Sequence, residues 1–351
     1  MGGNSRTVRI AGILAGILAV FAVWAALGTT AAIDLLYVIP IGFGAWWFGR
    51  SAGLALALLC AVLYVVGAQI HAVPEFGLSL LMEALAYFAT GLLLAALGQR
   101  LRVLEHSAEE LEAIRAALAP AELPELPGLD AAAAFVPSEL GVSGDFFLLT
   151  NGPDGSTVAI VGDVVGHGPR AARLATFIRA RFAAFAANTS DPAELLSLAN
   201  AALIDRPGRA QELVSAICLR LRPEETTVTW AVAGHPPPLL LPDLEELAWD
   251  SSTFLLGATP ALELETTDSS VEGKEGIVVY TDGATDVRRS QESLGLDGLS
   301  RILAPLSGLS ARAIVGELER KVLEWADRPI KDDLCVLVLK PERAQPAPPA
   351  L

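Results

Sequence analysis

Thr157-Val-Ala-Ile-Val161-Gly162-Asp163-Val164-Val165-Gly166-His167-Gly168-Pro169-Arg170 is the stretch on which the fold of the larger part of this chain turns. Thr157–Val161 is short, apolar and rich in β-branched residues, which reads as a strand. It runs into Gly-Asp and a glycine-punctuated turn. Residues 169–187 then place Leu174, Ile178, Phe182 and Phe185 on one helical face. A strand ending in aspartate and feeding a helix is the unit to look for elsewhere.

Three more aspartates stand at strand ends. They are Asp145 in Ser-Gly-Asp-Phe-Phe, Asp282 in Tyr-Thr-Asp-Gly, and the pair Asp332-Asp333 just before Leu334–Leu339. Aspartate is common at turns, so each alone is unremarkable. Together they supply hard oxygen ligands without partner Cys or His, a set suited to Mg²⁺ or Mn²⁺. Gly144, Gly162, Gly166, Gly168 and Gly283 beside them let backbone approach an ion or phosphate. Further strands are expected at Val214–Leu221, Thr226–Ala233 and Gly276–Tyr280. Helices are expected at Pro192–Ile204, Leu296–Leu303 and Ala311–Trp325. Strand following strand, with helices inserted in pairs, predicts an antiparallel α+β domain.

The order Gly162-Asp163-Val164-Val165-Gly166-His167-Gly168, Ala231-Val-Ala-Gly234-His235-Pro236-Pro-Pro, Tyr280-Thr-Asp282-Gly283-Ala-Thr and Lys331-Asp332-Asp333 resembles that of SpoIIE-type bacterial phosphatases. These are metal-dependent protein phosphatases related to protein phosphatase 2C. The resemblance covers residues 120–340 and implies an αββα sandwich, two antiparallel sheets flanked by helices. It implies that Asp163 bridges two Mn²⁺ or Mg²⁺ ions, with the backbone carbonyl of Val164 beside it. Asp282 and Asp332 become ligands of one ion, Asp145 serves the second ion or its water shell, and Asp333 supports Asp332. The implied reaction is hydrolysis of phosphoserine or phosphothreonine on a regulatory protein, an anti-sigma-factor antagonist, by metal-activated water. The rival reading is a pseudophosphatase acting as a membrane sensor or scaffold. Leu148 is its single support, since family members commonly carry an acid there; Val165 and Asp286 also depart from the pattern. His167 and His235 lie in Gly- or Pro-rich turns and read first as shape-setting. Arg170 and Arg173 open a helix next to Asp163, as a solvated face or as a contact for substrate phosphate. Phe177, Phe182 and Phe185 read as core.

Composition shows a second, different part. The 351 residues are 52% apolar and only 19% charged, yet the net charge is −15. Soluble domains are usually about a quarter charged. Residues 1–99 hold three basic side chains (Arg6, Arg9, Arg50) and three acidic ones (Asp34, Glu75, Glu83), so the remaining 252 residues carry the whole −15. That balance disfavours nucleic acid as a partner. Cys60, Cys218 and Cys335 are too scattered for a zinc site or a disulfide framework.

Ile10–Leu27, Ala52–Ile70 and Phe76–Leu97 are apolar stretches of 18, 19 and 22 residues, and Leu35–Gly49 adds 15 more around Pro40. The expectation is four transmembrane helices within 1–99, an all-α anchor in the lipid bilayer of a bacterial cytoplasmic membrane. Arg6, Arg9, Arg50, Arg100 and Arg102 then fall on one side, putting both termini and the C-terminal domain in the cytoplasm. Glu83 is the ionisable group inside a span. Residues 100–119 form a linker helix. Its Leu101–Leu118 seam, with Leu111 and Ile114, serves either a homodimer or packing on the next domain. Residues 341–351 read as a disordered tail.

Overall fold

The computed structural model describes residues 2–27, 37–70, 78–118, 123–136, 138, 144–207, 212–247, 254–290, 292–327, 330 and 332–342. By contacts the chain divides into two compact units, Met1–Glu110 and Leu111–Leu351.

The first unit is helical: α1 (Gly2–Leu27), α2 (Val38–Phe48), α3 (Arg50–Ile70) and the start of α4 (Leu78–Leu118). Ile13, Ile17, Tyr37, Ile41, Ala57 and Cys60 form its core. Small residues bring the helices close: a Cβ on Gly53 would stand 2.7 Å from that of Ala45. Large apolar side chains, among them Leu18, Phe43, Trp46, Leu58 and Leu93, face outward. Four membrane-crossing helices are not borne out, for among the described residues no helix is long and apolar enough to cross a membrane. The second segment shows one physical reason. With 11 residues, α2 is about 16 Å long at 1.5 Å per residue, half of a hydrocarbon core of about 30 Å. The connections Thr29–Asp34 and His71–Glu75, and the Glu83 side chain, lie outside the described residues. The fourth apolar stretch and the linker form one continuous 41-residue helix, α4. Side chains of Leu104, Ala108, Leu111 and Ile114 on its seam also lie outside them.

The second unit is the expected sandwich. One sheet has the order β1 (Leu129–Val136), β12 (Leu334–Pro341), β9 (Gly276–Tyr280), β6 (Leu239–Leu241), β7 (Glu245–Glu246). The other runs β2 (Phe146–Asn151), β3 (Thr157–Val164), β4 (Val214–Leu221), β5 (Thr227–Ala233), β8 (Thr267–Ser270). Every pairing within them is antiparallel. A small ribbon, β10 (Arg288–Arg289) with β11 (Glu292–Ser293), stands apart from both sheets.

Alternation along each strand builds the layers. Phe147 and Leu149 of β2 enter the core between the sheets with Val161, Leu219, Trp230, Val279 and Leu337. Phe146 and Leu148 face the other way, under α5 (Pro169–Ala186) and α6 (Pro192–Ile204). Leu118, from the end of α4, is buried in this same layer. On the far side α7 (Gly295–Leu303) and α8 (Ala311–Trp325) cover Val278, Val336 and Val338.

Helix ends are fixed by local chemistry. Asp191 caps α6 by accepting from Glu194 N at 2.8 Å. Ala311 N, in the first turn of α8, donates to Asp130 of β1 at 2.7 Å. Arg179 of α5 donates through Nε to the carbonyl of Phe147 at 2.7 Å, occupying an acceptor on the outer edge of β2.

Candidate metal centre

The register of the strands gathers the acidic residues. In the β2–β3 pair Phe146 faces Gly162, so Asp145 and Asp163 are the next pair along the ladder. In the β9–β12 pair Tyr280 faces Val336, which puts Asp282 beside the start of β12 and its Asp332-Asp333. Thr281 joins the two groups. Its hydroxyl donates to Asp145 Oδ2 at 2.6 Å and receives the N–H of Cys335 at 3.1 Å.

Close backbone approach is required here. A Cβ on Gly144 would stand 2.6 Å from the carbonyl oxygen of Val164, and one on Gly283 would stand 1.7 Å from that of Asp333. Only glycine fits either position.

Asp145 is buried and Asp163 half-buried, whereas Asp282 and Asp332 face solvent. Burial, then the charge of Asp163, pushes the Asp145 carboxyl well above the usual range. Burial, followed by repulsion from Asp282, Asp332 and Asp333, raises Asp163 to about 7. The two carboxyls hydrogen-bond each other, so they titrate as a pair. Asp282 is raised too, by desolvation and then by Asp286 and Asp332. Asp333 is buried; it accepts from Ser138 N at 2.5 Å through Oδ1, while its Oδ2 has no hydrogen-bond partner.

The expected residues Asp145, Asp163, Val164, Asp282, Asp332 and Asp333 thus lie at one end of the sandwich. Among the described residues no three His, Cys, Asp or Glu side chains converge as ligands of one ion. The chemistry of the set nevertheless fits hard cations. It consists of carboxylates that raise one another's pKa, and one carries a buried oxygen without a donor.

Sequence reasoning missed two residues, Thr281 and Ser138. Thr281 lies inside the Tyr-Thr-Asp-Gly motif, but nothing local reveals a partner 136 residues away. Leu148, where an acid is common in the resembling family, is buried in the apolar layer under α5 and α6. His235 is buried with Nδ1 3.1 Å from Ser215 Oγ, and burial lowers its pKa to about 3. A neutral ring of this kind fits a shape-setting role. His167 is exposed. Phe182 is core as expected, while Phe177 lies at the core's edge beneath Arg181 and Arg206.

Known proteins resemble this chain. The phosphoserine phosphatase RsbU of Bacillus subtilis is 23% identical over 221 residues, which cover 62% of this chain and 65% of that protein. The chain therefore spans about two thirds of the length of this relative, slightly under that fraction. The SiaA-PP2C domain of Pseudomonas aeruginosa superposes with a TM-score of 0.56 at 18% identity, covering 70% of this chain and 98% of that one. The structure of the RsbU and RsbW domains of Rv1364c from Mycobacterium tuberculosis gives 0.51 at 22% identity, covering 64% and 63%. At such identities these likenesses speak to the fold. A family model, that of stage II sporulation protein E, matches residues 153–342, more than half of the sequence. The chain belongs to the SpoIIE family.

Proposed function

We propose that this chain is a divalent-metal-dependent protein phosphatase acting on phosphoserine or phosphothreonine. The observation that carries the reading is the cluster of strand-end carboxylates from both sheets, tied together by Thr281. Asp163 and the Val164 carbonyl, with Asp282, Asp332 and Asp145, would hold two Mg²⁺ or Mn²⁺ ions. Bound there, the ions lower the pKa of a water and neutralise charge on the phosphoryl oxygens.

The chain's own groups do the rest. Asp145 and Asp163, whose pKa values are raised in the metal-free site, would have to be ionised to ligate. Thr281 and Ser138 orient Asp145 and Asp333 by hydrogen bonds. No thiol competes as nucleophile, because burial pushes Cys218 and Cys335 well up and keeps both protonated. Water attack without a phospho-enzyme agrees with that.

The substrate in this reading is a phosphorylated regulatory protein of the anti-sigma-factor antagonist class. Support comes from the family and from the phosphoserine phosphatase RsbU among the relatives. The pseudophosphatase reading rested on Leu148, and that side chain belongs to the apolar layer under α5 and α6.

For the helical unit we propose attachment to the bacterial inner membrane. Its charge-poor stretches and outward-facing Leu18, Phe43, Trp46, Leu58 and Leu93 suit acyl chains. The full chain should then sediment with membranes and resist carbonate extraction; release by carbonate refutes attachment.

The catalytic reading is tested by assaying the full chain on an aryl phosphate with and without Mn²⁺, beside Asp163→Ala. Wild type should turn over only with metal, and the variant should lose activity by about 10³-fold or more. Equal inertness across several divalent metals defeats it.

A further inference from the structure

Helix α5 is a basic element in an acidic protein. Its 18 residues contain Arg170, Arg173, Arg179 and Arg181 and no acid, in a chain whose net charge is −15. Arg179 is committed to the Phe147 carbonyl. The other three follow the spacing i, i+3, i+11, with Phe177 at i+7, and so share one face. Arg170, Arg173 and Arg181 are exposed, and Phe177 is half-buried. Arg206, from the turn after α6, extends the face: the Arg181 and Arg206 guanidiniums stand 5.1 and 4.9 Å from the Phe177 ring centroid. Two acids are near. Glu212 pairs with Arg206 at 2.7 Å and reaches Arg170 at 3.9 Å, and Asp205 is exposed beside Arg206. Arg181, over the Phe177 ring, is in neither of those pairs.

The face starts at the centre described above. Pro169, the first residue of α5, is six positions after Asp163, and the helix N-terminus, with its partial positive charge, lies at that end. From Arg170 to Arg181 the stripe runs about 16 Å, the length of about five extended residues.

We propose that this face docks an acidic segment of the phosphoprotein substrate, within about five residues of the phosphorylated side chain. The inference rests on the phosphatase reading and adds its substrate class: sites flanked on one side by Asp or Glu. The guanidiniums pair with the carboxylates, and Phe177 gives the segment's apolar groups a surface already polarised by two cations.

The test uses the full chain and two fluorescently labelled phosphoserine peptides, one flanked by Asp and Glu and one by Ala and Gln. Anisotropy measures their binding, and aryl phosphate hydrolysis is followed separately. At low salt the wild type should bind the acidic peptide about tenfold more tightly, and Arg181→Glu should cut that preference about fivefold while leaving aryl phosphate turnover intact. Raising the ionic strength to about 0.5 M should remove the preference in the wild type. Equal affinity for the two peptides at low salt, or an undiminished preference in Arg181→Glu, overturns docking whatever the turnover. Loss of aryl phosphate turnover in the wild type overturns the catalytic reading instead. If Arg181→Glu fails to fold, the wild-type salt series and Arg181→Ala decide the matter alone.

Discussion

Thr281 Oγ1 lies 2.6 Å from Asp145 Oδ2, a single hydrogen bond that ties the end of β9 in one sheet to the start of β2 in the other. Because Cys335 N donates to the same hydroxyl at 3.1 Å, the hydroxyl is oriented and its proton points at the carboxylate. Replacing it by an isosteric methyl takes one hydrogen bond from the buried Asp145 carboxyl and removes the acceptor of the buried Cys335 N–H. Thr281→Val should therefore weaken Mn²⁺ activation by about 10- to 100-fold, whereas Thr281→Ser, which keeps the hydroxyl, should stay near wild type. Metal titrations of aryl phosphate hydrolysis read the difference; equal loss in both variants would point to packing instead of the hydrogen bond.

That bond also shows where sequence reading stops. The aspartates were legible because Asp at a strand end is a local pattern, visible in Gly162-Asp163 and Thr281-Asp282. Strands β4 and β9 and helices α6 and α8 emerged with the expected ends, since apolar periodicity and Asp, Ser or Pro at the starts are local too. Strand β1 was not legible. Ala131–Ala134 favour helix intrinsically, and the segment is extended because β12 pairs with it over eight residues. Thr281 and Ser138 stayed hidden because their partners are 136 and 195 residues away.

Asp163 is ionised at high cost in the metal-free protein, since burial and three neighbouring carboxylates oppose its charge. Asp163→Asn should abolish metal-dependent turnover yet stabilise the chelated protein at pH 8. Its melting temperature in chelator should exceed that of wild type by about 2–4 °C per kcal/mol of repulsion relieved. A lower melting temperature in the Asp163→Asn variant would mean that the carboxylate is held by contacts that outweigh the repulsion.

The sign of the pH effect follows from the same residue. With a folded pKa of about 7 against 3.8 ordinarily, the folded chain binds this proton more tightly than the unfolded one. That stabilisation is fully present below the unfolded value and is lost as pH rises through about 7. In chelator, wild type should lose stability between pH 5 and pH 8 more steeply than Asp163→Asn. Because ions and protons compete for the carboxylate, the apparent Mn²⁺ affinity should rise over that range. Calorimetry with and without Mn²⁺ checks both, and parallel slopes in chelator would remove Asp163 from the account.

Asp154 is held by a different set of contacts. It accepts from Ser156 N and Oγ at 3.2 and 2.6 Å, from Ser190 Oγ at 2.6 Å and from Arg222 at 2.7 Å. These join the β2–β3 turn, the α5–α6 connection and the turn after β4, and they hold the carboxyl well below its usual range. Asp154→Ala should lower stability by about 1–3 kcal/mol in denaturant melts, with kcat on an aryl phosphate unchanged. Its contribution is present above the unfolded pKa and fades as pH falls below it. A variant as stable as wild type would show the exposed ion pair and hydroxyl contacts to be replaceable by water.

Leu148 stands where the motif resemblance leads one to expect an acid, and its surroundings forbid one. Its side chain is 5% exposed and lies in the cluster with Phe146, Ile160 and Phe182. An aspartate there must either ionise in an apolar layer or be protonated, and both routes cost several kcal/mol. Leu148→Asp should thus fail to restore a familiar ligand and should destabilise the domain by roughly 3 kcal/mol or more. Leu148→Met, similar in volume, should cost less than about 1.5 kcal/mol. If Leu148→Asp were as stable as wild type and bound Mn²⁺ more tightly, the side chain would have to reach the strand-end carboxylates, and β2 would be rotated relative to the register with β3 in which Leu148 faces Ile160.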